Sequence, residues 1–173
     1  MTERVHAFTD DALADHDATA LAELVAAKEV SASELAAAAV ARAERVQPLL
    51  NGVHHPDYER AVEESASLPD GPFRGVPTFV KDNVDVAGLP TNHGTAAFTA
   101  RPARADSPFV RQFRSLGFSL LGKSRLPEFG FSPTSPHAAA GIRMEPPPSL
   151  AWAIGTTPLA TRAALPPLEA PAE

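Results

Sequence analysis

Between Asp17 and Lys28, apolar Leu21, Leu24 and Val25 recur at helical spacing among polar neighbours, which predicts an amphipathic helix. A second stripe, Leu35, Ala39, Ala43, Val46 and Leu50, follows Ser31 and Glu34, and those two have the spacing of a capping box. The helix it predicts opens at Ser31, continues to about Val46 and stops at Pro48, because proline removes a backbone donor. Alanine dominates this helix, so its packing surface should be flat and its neighbours close. Tyr58 to Ser67 predicts a third helix on the way to the Gly71-Pro72 turn.

Further along, the period changes. Thr78-Phe79-Val80 has the β-branched and aromatic content of a strand, bounded by Pro77 and by Gly88-Leu89-Pro90. Ser107-Pro108 reads as an N-cap followed by the first helical position. Phe109, Val110, Phe113 and Leu116 then form the apolar stripe, and Gly117 suits a left-handed cap. Phe118 to Leu121 is a short, largely apolar strand. Strand Thr78–Lys81, helix Ser107–Leu116 and strand Phe118–Leu121 make a strand–helix–strand unit, which favours a layered α/β fold with parallel pairing. The loop between them, Asp85 to Ala105, is long for a connector, and long ordered loops often shape sites.

After Gly141 neither period survives. Pro146, Pro147 and Pro148 are followed by Pro158, Pro166, Pro167 and Pro171, each fixing φ and removing a donor. The organisation expected is therefore a structured part over residues 1–140 and a Pro/Ala-rich tail over 141–173, disordered or loosely docked. Trp152 in that tail reads as a local packing residue.

Composition narrows the function. At 173 residues, with 44% hydrophobic and 21% charged content, one globular core is expected. A net charge of -6, with Lys and Arg scattered among acids, excludes a general nucleic-acid surface. The chain has no cysteine, which excludes disulfides, thiolate metal sites and a cysteine nucleophile. The N-terminus lacks the apolar core of a signal peptide, and no stretch reaches the ~18 apolar residues of a membrane span. A cytoplasmic protein that engages neither membrane nor nucleic acid fits these bounds.

Lys81 is the first candidate for chemistry. It ends an apolar strand just before a Gly/Pro-punctuated loop, where a rigid element can hold an amine beside a cleft. A lysine partly desolvated in such a place can serve as a general base; the alternative is a strand-end ammonium in water. Asp82 and Asn83 follow it directly. In an extended chain Asp82 points away from its neighbour, so it need not pair with Lys81, and one of the two is expected to hydrogen-bond loop backbone. Gly117 to Ser124 matches the phosphate-loop spacing, but its four intervening residues form the apolar strand itself, so nucleotide binding is not expected. His54, His55 and Asp57 suggest a metal cluster only weakly, since adjacent side chains should diverge, and a polar loop is the expectation there. His93 receives no role.

Several motifs in order carry a resemblance. Gly75-Val-Pro-Thr-Phe-Val-Lys81-Asp-Asn-Val-Asp-Val-Ala-Gly-Leu-Pro90, then Thr91-Asn92-His93-Gly94-Thr95, then Leu120 to Gly130, then Ser132-Pro133-Thr134, resemble the amidase signature family. The resemblance runs from Asp17 to Gly141. It implies an α/β fold of N-terminal helices plus part of a mixed sheet flanked by helices, an incomplete amidase signature fold. It also implies hydrolysis or transfer of amides by a serine nucleophile, a second serine in a cis peptide and a lysine base, with no metal or organic cofactor. By its place in the Val-Lys-Asp-Asn motif, Lys81 matches the family's catalytic lysine. Ser132, Thr134 and Ser135 match a segment that runs along the substrate cleft in the family, though as residues they are ordinary turn formers. The partner implied is a small-molecule amide substrate, and homo-oligomerisation is left open.

The family's glycine/serine-rich stretch, which supplies both serines and the oxyanion donors, has no counterpart here. No Gly-Gly-Ser-Ser-Gly-Gly-like run occurs, and no serine follows Ser149. The tail is therefore expected to be an out-of-frame or otherwise disrupted reading of an amidase gene. Three functional readings stand: amide hydrolysis as the parent activity of a chain lacking the serines, a catalytically inert fragment or interaction module, and a fragment of an amidotransferase A-type subunit.

Overall fold

The computed structural model describes residues 6–131; Ser132, Thr134, Ser135 and the 141–173 tail lie outside the described residues. Helix α1 spans Ala18–Ala26, with the Asp17 carboxylate accepting from the Thr19 and Ala20 amides. Helix α2 spans Ala32–Leu50 behind a complete Ser31–Glu34 capping box. It runs through Pro48 instead of stopping there. Pro48 gives up its bond to the i−4 carbonyl, the helix ends two residues later, and Asn51 closes it in the left-handed conformation, its N–H bonding Gln47 O at 2.7 Å. Strand β1 (Val53–Pro56) follows, where a loop was expected, and then helix α3 (Tyr58–Glu64) with a 3-10 turn at Ser65–Ser67. Strand β2 is Pro77–Lys81, helix α4 is Pro108–Ser115 and strand β3 is Ser119–Ser124.

The sheet order is β1-β3-β2, with β2 parallel to β3 and β1 antiparallel to it. The fold is thus α/β with a mixed sheet. Along β2 and β3, successive residues enter opposite cores. Phe79 and Leu121 pack with Leu35, Ala39 and Ala43 of α2, while Val80 and Leu120 pack with Val110 of α4 and with Val86. Burial on both faces is why these strands read as apolar runs instead of alternating ones. The small α2 side chains at Ala36, Ala39 and Ala43 are almost wholly buried, as a flat, close helix face requires. Buried Arg42 ties the N-terminal segment to this helix through Asp11, Thr9 O and Ala14 O. Among the described residues no helix is long and apolar enough to cross a membrane.

Two irregularities in the ladder position the site. On β3 one extra residue lies between the partners of Thr78 and Val80, and on β1 one extra residue, His54, lies between the partners of Ser124 and Lys123. Gly122 sits at the crossing with φ +129°, and a Cβ there would meet His55 O at 2.3 Å. Only glycine allows that approach. The bulges turn His54, His55 and Lys123 towards the end of β2.

Candidate functional site

At the C-terminal end of β2 the chain divides two charged neighbours between two environments. Lys81 is the one exposed residue of the strand, and its ammonium has no hydrogen-bond or ion-pair partner among the described residues. It is therefore displayed on the surface of this segment and not desolvated by it. Asp82, the next residue, is completely buried. Period-two alternation at the strand end accounts for the split.

Asp82 is the centre of a polar cluster. Lys123, also without exposure, places Nζ 2.7 Å from Oδ1. Oδ2 accepts from His54 Nδ1–H at 2.9 Å and from the Asn92 amide at 3.1 Å. The Asp82 amide donates to Ser124 O at 3.0 Å, and its carbonyl accepts from the His93 amide at 2.9 Å. Lys123 donates onward to Pro90 O at 2.6 Å and to Thr91 Oγ1 at 2.7 Å. His55 Nε2 bonds Asn92 Oδ1 at 3.1 Å, and the two histidine rings lie 4.0 Å apart. One carboxylate thereby joins β1, β2, β3 and the loop that follows β2.

The electrostatics follow from the burial and the partners. Burial pushes the Asp82 carboxyl up, but the bonds from Lys123 and His54 outweigh it and hold the group below the ordinary carboxylate value. Burial lowers Lys123, with Asp82 pulling the other way. His55 is lowered by burial and by the charge of His54, against the attraction of Asp82. His54, His55 and Asp82 bring three metal-ligating atoms within 4.8 Å. Lys123 already supplies the cation, however, and a divalent ion would have to share the carboxylate with an ammonium 2.7 Å away. The cluster is better matched to internal charge pairing than to a metal.

Sequence reasoning placed the two histidines apart because adjacent side chains diverge. The bulge at His54 overturns that, and Asp82, not Asp57, is the acid they face. Asp57 instead pairs with Arg60. Lys123 was legible only as part of a rejected phosphate-loop spacing, and its burial on β3, with Gly117 capping α4 at φ +89°, removes that reading altogether. His93 contributes backbone: its φ is +53°, its carbonyl accepts from the Phe129 amide at 2.7 Å, and its ring stacks on Phe129. Beside the loop lies an open cavity of about 540 Å³ lined by Asp85, Thr91, His93, Phe98, Arg101 and Arg104. A larger one, about 760 Å³, lies where the α1–α2 elbow meets the Asp70–Arg74 turn and shares no residue with the Asp82 cluster.

A family model described as Amidase matches residues 34–149, past Gly141 where the motifs fade. "Putative amidase AmiC" of Mycobacterium tuberculosis (strain ATCC 25618 / H37Rv) is 46% identical over 141 residues, 80% of this chain and 30% of that protein. The A-type subunit of the glutamyl-tRNA(Gln) amidotransferase of Solidesulfovibrio magneticus is 31% identical over 146 residues, 81% of this chain and 29% of that one. Among solved structures, 6-aminohexanoate cyclic dimer hydrolase complexed with substrate superposes with a TM-score of 0.66 at 39% identity. That superposition covers 74% of this chain and 27% of the hydrolase. The chain spans about 30% of the length of the curated relatives it matches.

Proposed function

Because the chain belongs to the Amidase family, we propose that it carries the base of an amide-cleaving site and that Lys81 is that base. The observation that carries the reading is the place of Lys81 in the Val80-Lys81-Asp82-Asn83 run inside the matched family segment. It ends an otherwise buried strand, and its exposed amine has no partner among the described residues. The reaction is acyl transfer. A serine hydroxyl attacks the amide carbon, its proton passes through a second serine to the lysine, the amine departs with a proton, and water then cleaves the acyl ester. The substrate class is a small-molecule amide, and serine ester chemistry of this kind needs neither metal nor organic cofactor. Homo-oligomerisation remains open to measurement, and a cytoplasmic setting is part of the same reading.

The sequence contains no glycine/serine-rich run to provide the nucleophile. We accordingly assign the 173-residue chain itself no hydrolytic activity. The same reading divides the chain into a family segment over 1–140 and an out-of-frame or disrupted tail over 141–173, against a family match that runs on to residue 149. The similarity to the A-type component of an amidotransferase supports a second reading, in which the same base serves ammonia production for transamidation.

A chimera tests the assignment of Lys81: residues 17–141 replace the matching segment of the 46%-identical AmiC relative, and hydrolysis of an activated amide is followed. Loss of about 10²–10⁴-fold on Lys81→Ala is expected of a general base. Retained activity would remove Lys81 from the reaction. The isolated chain should not react with a fluorophosphonate; labelling of the folded chain, abolished by Lys81→Ala, would overturn its assignment as inert.

A further inference from the structure

A carboxylate with no exposure, immediately after the exposed lysine, has an energetic cost that packing alone does not explain. Removing a carboxylate from water costs several kcal/mol unless it is fully paired. Asp82 is paired at both oxygens, and its partners come from every element that surrounds the end of β2. His54 belongs to β1, Lys123 and the Ser124 carbonyl to β3, and the Asn92 and His93 amides to the following loop. Lys123 fastens the near side of that loop as well, through Pro90 O and Thr91 Oγ1. The peptide that joins Lys81 to Asp82 is therefore held on both sides.

We propose that Asp82, with Lys123 as its counterion, is a positioning residue for Lys81. The carboxylate anchors the strand end beneath the surface. Alternation then sends the Lys81 side chain to the opposite, open side, and the anchor fixes the origin and direction from which its amine reaches out. This rests on Lys81 being the base, and it adds a requirement: the base works only when the buried pair below it is intact. It also gives the two family motifs one physical purpose. The Val-Lys-Asp-Asn motif supplies the amine and its anchor, and the Gly-Lys-Ser motif on β3 supplies the anchor's counterion.

The chain's lysines are Lys28, Lys81 and Lys123, so each amine can be followed separately. Reductive ¹³C-methylation of the folded protein labels the exposed amines and leaves buried Lys123 unmodified. The methyl signals of Lys81 and Lys28 should differ in shift and linewidth. In Asp82→Asn/Lys123→Met, which removes both buried charges together and keeps the pocket filled, the Lys81 signal should move more than halfway to that of Lys28 and sharpen. The amide spectrum reports that the fold is retained. An unchanged Lys81 signal in the folded double variant would overturn the proposal. Amide hydrogen exchange in the unaltered protein gives a second reading. The Asp82 and His93 amides should be protected as strongly as those of β3, and exchange at loop rates would overturn it too. Neither measurement uses activity, so an active Lys81→Ala chimera would refute the base and leave the anchor to be judged by its own result.

Discussion

Replacing Lys123 by methionine removes one half of the buried pair and leaves the Asp82 carboxylate facing an apolar side chain. Uncompensating a buried charge in this way costs ~3–5 kcal/mol. Pro90 O and Thr91 Oγ1 also lose their donor, at about 1 kcal/mol each if they stay buried. These contributions overlap, because the loop can relax towards water, and a net loss of about 4–6 kcal/mol is expected. A domain of this size has about 5–15 kcal/mol in total, so Lys123→Met alone should bring the protein close to unfolding. Asp82→Asn alone should be comparably harmful, since it strands a buried ammonium. The double variant should recover most of the loss, because an amide beside a thioether carries no uncompensated charge. It forfeits hydrogen bonds only, about 1–3 kcal/mol.

Urea unfolding at pH 7, followed by circular dichroism, measures all four corners of this cycle. A coupling of at least ~2 kcal/mol between the two positions is expected for buried, ion-paired charges in contact. A double variant no more stable than Lys123→Met would refute the reasoning. So would a single variant that costs less than about 1 kcal/mol, the range of an exposed pair.

The acid limb of stability should show two steps in a Tm series from pH 8 to pH 3. His55 is lowered in the fold, so below the unfolded value of 6.5 the unfolded chain takes up a proton first and stability falls. His55→Asn should flatten that step and leave the second. The second belongs to Asp82 together with Asp11 and Glu34, all lowered in the fold, whose contributions are present above their unfolded values of 3.8, 3.8 and 4.5 and are lost as pH falls through the lower folded values. Gly122→Ala puts a Cβ against His55 O at a φ that favours glycine, and should cost about 2–4 kcal/mol; a wild-type denaturation midpoint would show that the bulge can re-form without it. Ser31→Ala removes the cap of α2 and should lower stability by about 1 kcal/mol in the same assay.

The helices were legible because their signals are local. Ser31 and Glu34, or Ser107 and Pro108, state a helix start within four residues, and the structure uses both. Strand β2 and its parallel partner were legible from apolar runs and the helix between them. Three things were not. Pro48 was read as a stop because it removes a donor, and the helix bears that loss for only two further residues before Asn51 ends it. Strand β1 was missed because His54, His55 and Pro56 have no strand composition; pairing with β3 makes it a strand, and that contact lies some seventy residues away. The clustering of His54, His55 and Lys123 on Asp82 depends on two bulges, and a one-residue shift in register is invisible to periodicity. Asp82 could have been suspected, since a residue after an exposed strand-end lysine points inward. Its counterion could not, because Lys123 sits in an apolar strand whose lysine reads equally well as a strand end in water.

The Lys81–Asp82 pair shows why neighbours of opposite charge need not form an ion pair. Had Asp82 turned towards Lys81, the carboxylate would have paired at the surface and left Lys123 without its counterion. The strand sends the carboxylate inward instead, where Lys123 neutralises it. The buried lysine must stay charged, since its charge is what permits Asp82 to stay ionised in the interior. The exposed lysine is left free of any fixed counterion among the described residues. Exchanging the two roles makes this testable: Asp82→Lys/Lys123→Asp keeps the pair neutral and reverses it. It should fold, provided the loop can meet a carboxylate, but Pro90 O and Thr91 Oγ1 would then face an acceptor where Lys123 now donates. The reversed pair should therefore be less stable than the neutral Asn/Met pair. If it proves equally stable, the orientation of the pair is arbitrary and only its neutrality matters.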